Sequence, residues 1–182
     1  SIFIGAGFRL GNLEIGDGTS AKTVSTAVNV TSATMTVRSI TVKQNSTFWI
    51  GTASNTNVLN IGSFATSGVP TLSGGITVET GASLRVQESS AGFVTANINL
   101  FGGGITNNGT IDMLSTGLQS LLVGCRYNIN IDSTSQTIGG TTAGTFANIT
   151  VGAGQTLTLQ RPVNLGPGGV MTLNGTLAEN AG

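Results

Sequence analysis

The chain has 182 residues; only 8% are charged, seven basic against seven acidic, and none is histidine. With 38% hydrophobic residues and a mean hydropathy of +0.27, it is not a disordered chain, which would be poor in hydrophobic residues and rich in charge. Balanced charge leaves no basic footprint for nucleic acid, and no apolar run approaches the ~18 residues of a membrane-inserted helix.

Glycine supplies 28 residues, about twice its usual share of roughly 7%. Only three prolines accompany it and no triplet period exists, so collagen is excluded. Short strands joined by tight turns are expected instead. Cys125 is the one cysteine, so no intrachain disulfide can form, and its setting Leu121-Leu122-Val123-Gly124 reads as that of a small buried hydrophobe.

In chain order, Ile2-Phe3-Ile4 and Phe8-Arg9-Leu10 open an apolar alternation, and Gly16-Asp17-Gly18 reads as a tight turn rather than a calcium loop. Alternating runs follow at Thr34-Met35-Thr36-Val37, Ile40-Thr41-Val42, Leu84-Arg85-Val86, Ile98-Asn99-Leu100, Ile129-Asn130-Ile131 and Leu157-Thr158-Leu159. Turn formers separate them, among them Gly102-Gly103-Gly104, Asn108-Gly109 and Asn174-Gly175. No segment carries a helical stripe.

An internal repeat organises these runs. Ile76-Thr77-Val78, a turn and Leu84-Arg85-Val86 return as Ile149-Thr150-Val151, a turn and Leu157-Thr158-Leu159. A looser copy runs from Ile40 to Ile50 and a shortened one from Ile105 to Met113. The starts are unequally spaced. Stacked coils tolerate that, because an insertion bulges outward while the strands keep their partners. The pattern predicts an all-β fold, a right-handed parallel β-helix (β-solenoid) with irregular coil lengths. Residues 1–39 are expected as an N-terminal cap or first coils, and residues 40–182 as solenoid coils. The copy beginning at Met171-Thr172-Leu173 breaks off, so a piece of a longer protein is expected.

From Gly102 to Leu177 the chain resembles the β-helical repeat regions of large surface proteins that Bacteroidota export by type IX secretion. The matching residues are Asn107-Asn108-Gly109-Thr110, Gln136-Thr137-Ile138-Gly139-Gly140 and Thr145-Phe146-Ala147-Asn148-Ile149-Thr150-Val151. Pro162-Val163-Asn164-Leu165 and Leu173-Asn174-Gly175-Thr176-Leu177 continue it. The resemblance implies an extracellular adhesin-like module, with secretion or cell-surface machinery, surface glycans or copies of itself as partners. It implies no cofactor. Asp132-Ser133-Thr134 is similar to the O-glycosylation sites of such proteins, which makes Ser133 a candidate acceptor.

Chemistry-bearing residues are sparse. The absence of histidine removes histidine triads, and the seven carboxylates are scattered without an adjacent pair, so no catalytic residue and no metal site is expected. Trp49 stands beside Phe48 in a strand copy, where one ring must face in and its neighbour out. An outward Trp49 is a candidate glycan contact. The expected function is therefore a non-enzymatic structural or adhesive module. Two alternatives remain: a polysaccharide-active β-helix enzyme, and a filament subunit that donates its N-terminal strand to a neighbour.

Overall fold

The computed structural model describes residues 2–4, 8–28, 32–50, 56–61, 64–66, 69–71, 74–86, 95–100, 103–112, 126–131, 136–146, 148–166 and 168–179. The protein is all-β and built on parallel sheets, with no helix among the described residues.

One sheet has seven strands, in the spatial order Ile2–Ile4, Lys22–Val28, Ser46–Ile50, Ser83–Val86, Thr110–Asp112, Gly144–Phe146 and Val163–Leu165. Every neighbouring pair in it is parallel. The second sheet has twelve strands and centres on the long strand Ser32–Val42. The first half of that strand pairs with Thr56–Ile61. Beyond it lie Thr95–Leu100, Arg126–Ile131, Asn148–Val151 and Met171–Leu173. Its second half pairs with Ile76–Val78, followed by Ile105–Asn107, Gln136–Gly140, Thr156–Leu159 and Thr176–Glu179. The sheet thus has two arms. Phe8–Ile15 pairs with Ser32–Val42 along both of them.

The chain visits these three places in a fixed order. Thr95–Leu100, Ile105–Asn107 and Thr110–Asp112 occupy the first arm, the second arm and the seven-stranded sheet. Arg126–Ile131, Gln136–Gly140 and Gly144–Phe146 do the same, as do Asn148–Val151, Thr156–Leu159 and Val163–Leu165. Between the first and second visits of one circuit, the chain inserts an antiparallel hairpin of Phe64–Thr66 with Val69–Thr71. That insertion stretches the distance from Ile40 to Ile76, yet the two isoleucines remain paired in register.

Alternation within each strand turns one set of side chains inward. Ser46–Ile50 buries Ser46, Phe48 and Ile50 and leaves Thr47 and Trp49 partly exposed. Because pairing is parallel and in register, buried residues stack on their own kind: Ile40, Ile76, Ile105 and Ile138 form one file. Phe48, Leu84 and Ile111 form another. These files belong to one continuous apolar core running from Ile15 to Leu157. Burying each such side chain contributes about 1.5–3 kcal/mol, and no crosslink is needed. Burial fades over the last strands, where Leu173 is 48% exposed and Val170 56%.

A single turn serves different corners. At Lys43–Ser46, Glu79–Ala82, Gly152–Gln155 and Gly166–Gly169 the fourth residue donates its N–H to the first carbonyl, at 2.8–3.1 Å. The third residue has positive φ in each: Asn45 at 62°, Gly81 at 75°, Gly154 at 73° and Gly168 at 72°. Positive φ at that position is the signature of a type II turn, which glycine and asparagine tolerate best. The first two turns join the second arm to the seven-stranded sheet, the third joins the two arms, and the fourth returns to the first arm.

Because one turn serves different corners, two like-looking copies of the repeat occupy different places. Ile149-Thr150-Val151 is not equivalent to Ile76-Thr77-Val78. Ile149 pairs with Ile129 on the first arm, whereas Ile76 pairs with Ile40 and Ile105 on the second. The residue that follows in the file of Ile105 is Ile138.

Candidate functional site

The outward side of the seven-stranded sheet collects the most varied chemistry. Phe48, Leu84 and Ile111 point inward, so their neighbours Trp49, Arg85 and Asp112 are set on the outer surface. Parallel register aligns these three, Arg85 directly opposite both Trp49 and Asp112. Thr145 and Asn164 continue the row on the next two strands. A second row lies two residues earlier along each strand: Thr23, Thr47, Ser83 and Thr110. The strip therefore presents an indole, a guanidinium, a carboxylate and an amide beside a file of hydroxyls.

Successive rungs are about 4.8 Å apart, so the row from Trp49 to Asn164 extends over four steps, or about 19 Å. Trp49, Arg85, Asp112 and Thr145 are half-buried and Asn164 is exposed. The Arg85 guanidinium makes no hydrogen bond or ion pair with another described side chain.

The sheet corners carry the other charges. Asp17 closes the turn after Phe8–Ile15: its carboxylate accepts from the N–H groups of Thr19 and Ser20 and from both hydroxyls, at 2.8–3.0 Å. Those bonds, the Ser20 N–H foremost, hold its carboxyl far below the usual carboxylate range. The carboxylate is spent on its own turn, as expected of Gly16-Asp17-Gly18. Lys43 bridges Glu79 at 3.3 Å and Glu14 at 3.9 Å across three stacked corners. Glu79 also accepts the Gln44 N–H at 2.9 Å. That bond chiefly, with Lys43 assisting against desolvation, lowers its carboxyl.

Asn107 is a polar residue buried at a corner. Its side-chain amide donates to the carbonyls of Thr142 and Ala143 on the next circuit, at 3.1 and 3.3 Å. Its Oδ1 accepts from the Gly109 N–H at 3.2 Å. The Asn-Asn-Gly-Thr motif thus has a structural use. Its N–H groups also reach down to the corner below, Asn108 to the Val78 carbonyl and Thr110 to the Ala82 carbonyl. The Asn174-Gly175-Thr176 corner repeats the arrangement on Val151 and Gln155.

Of the residues singled out from sequence, Trp49 is on the outer surface and is joined there by Arg85 and Asp112. Ser133, Asp132 and Cys125 lie outside the described residues. Among the described residues no group of three or more His, Cys, Asp or Glu is placed to hold a metal. The Trp49–Arg85–Asp112 row escaped the sequence reading, although the copies from Ile40 and Ile76 already aligned Trp49 with Arg85. Its signal lies in the outward positions of the repeat, which share a register but no residue type. No family model matches the chain, and neither curated proteins nor solved structures give a match.

Proposed function

We propose that the chain folds as a right-handed parallel β-helix and acts as a structural and adhesive module of an extracellular surface protein or filament, exported as secretion-system cargo. The supporting observation is the fixed order of visits to two sheet arms and a third sheet, each in parallel register with the previous visit. Crossover connections between parallel strands are right-handed in nearly all proteins, which supplies the hand. Net charge of zero and a core without crosslinks suit a neutral rod at a cell surface. The resemblance of Gly102 to Leu177 to type IX cargo supplies the route of export. Ile2–Ile4 pairs with Thr26, Ala27 and Val28 of its own chain, which favours the rod over a filament built by donating that strand.

One observation favours an enzyme: Glu14, Lys43 and Glu79 bring two carboxylates to one base. A glycoside-cleaving acid needs a raised pKa, however, and that of Glu79 is lowered. The triad fits better as an electrostatic staple between corners.

The test is to incubate the purified chain with insoluble polysaccharides. Retention on them without release of reducing ends or unsaturated products supports an adhesive module. Product release that disappears in Glu79→Gln would replace it with the enzyme.

A further inference from the structure

We infer that the row Trp49–Arg85–Asp112, with the hydroxyl file Thr47–Ser83–Thr110 beside it, is a binding strip for an extended neutral glycan. This rests on the adhesive reading and gives it a site and a ligand class.

Each residue type in the strip matches one demand of a sugar chain. An indole offers a flat apolar platform for the C–H face of a pyranose and a polar N–H at its edge. Arg85 presents planar paired donors, which suit two oxygens held side by side, as in a vicinal diol. Its guanidinium has no partner among the described side chains, so a ligand need not displace one. Asp112 supplies acceptors on the far side of Arg85, and Thr47, Ser83 and Thr110 can both donate and accept.

Charge selects among glycans. The strip contains one cation and one anion on adjacent rungs, so its net charge is zero. A polyuronate would gain from Arg85 and lose against Asp112 about 4.8 Å away, whereas a neutral chain uses both as hydrogen-bonding groups. Length points the same way. Trp49 to Asp112 spans two rungs, about 10 Å, and the row runs on through Thr145 to Asn164 for about 19 Å in all, so it takes several sugar units lying across the strands where a monosaccharide would cover only part of it.

Trp49 is the chain's one tryptophan, so its fluorescence reports on this strip alone. The experiment titrates the protein with cellohexaose, xylohexaose and mannohexaose, with polygalacturonate as the acidic probe. At least one neutral hexaose is expected to shift the emission saturably and shield it from acrylamide. Arg85→Ala should weaken that binding roughly tenfold and Asp112→Asn by several-fold, while Thr77→Ala on the second arm changes nothing. Calorimetry on Trp49→Ala should show binding lost, with the parallel-sheet circular dichroism of every variant unchanged.

The inference falls if no neutral hexaose perturbs the emission at millimolar concentration, or if Arg85→Ala binds like the parent. Tighter, salt-sensitive binding of polygalacturonate would also overturn it, making the strip an anion site. Retention on polysaccharide with silent fluorescence would sink this site while leaving the adhesive reading standing. No retention at all would sink both.

Discussion

Gly109→Ala should cost far more than its single methyl group suggests. The added Cβ would fall within contact distance of the Ala82 and Glu79 carbonyl oxygens and lie 2.9 Å from Val78 Cγ1. None of these can swing aside cheaply. Two are backbone atoms of a turn closed by the Ala82 N–H on the Glu79 carbonyl at 2.9 Å. The same turn accepts the Thr110 N–H from above, and Val78 accepts that of Asn108.

Making room means parting two stacked corners and stretching those two bonds. Each bond is worth about 0.5–1.5 kcal/mol net, and overpacking adds about 1–3 kcal/mol. Restricting the unfolded chain returns about 0.4–1 kcal/mol. The expected net loss is centred on about 3 kcal/mol, within a span of roughly 1–5.5 kcal/mol.

Two companions isolate the cause. Gly154→Ala meets no atom within 4 Å but must hold φ near +73°, so about 1 kcal/mol is expected. Gly11→Ala meets nothing and has no positive φ, so it should be neutral or gain up to about 1 kcal/mol. Urea unfolding followed by circular dichroism ranks the three, with an unchanged slope guarding the comparison. If Gly109→Ala unfolds within about 0.5 kcal/mol of the parent, the close nesting of corners is wrong.

Phe48 is fully buried between Val24 and Leu84, so Phe48→Ala should lose about 3–5 kcal/mol in the same assay, and a loss under 1 would contradict the inward file. Asn107→Ala strips partners from the carbonyls of Thr142 and Ala143 and from the Gly109 N–H; about 1–3 kcal/mol is expected, with hydrogen exchange quickening first at Gly109. Asp17 has a folded pKa below its unfolded one, so its contribution is fully present above about pH 4 and lost as pH falls through the folded value. The Thr19 and Ser20 amide shifts should therefore hold steady through the ordinary carboxylate range, and a midpoint near pH 4 would refute the turn bonds.

Strand positions and inward files were legible in the sequence because alternation is a local signal. Ile40, Ile76 and Ile105 were aligned correctly on apolar pattern alone. Which corner a turn occupies was not legible. Gly152–Gln155 and Glu79–Ala82 share one hydrogen bond and one positive φ, so nothing local separates them, and the copy at Ile149 was placed on the wrong arm. Arm changes without a turn were equally hidden. Val37 and Ile40 are both buried although three apart, so the strand bends at Arg38 and Ser39 with no glycine or proline to mark it. The outer row suffered a related fate. Trp49, Arg85 and Asp112 are far apart in the chain and share no type, so only register brings them together.

Register also dictates how this protein would bear load. Adjacent circuits are joined by hydrogen bonds that run along the stacking direction, so tension in that direction loads the layers in series, one after another. Detaching the layer between Ile149 and Met171 frees 22 residues, about 75 Å of extended chain. Under an optical trap the extension should therefore grow in discrete steps of that order, and the Phe64–Thr71 circuit should release a longer one. The surface module proposed above would lengthen under shear by shedding layers, and would keep the rest of its body intact as it did so.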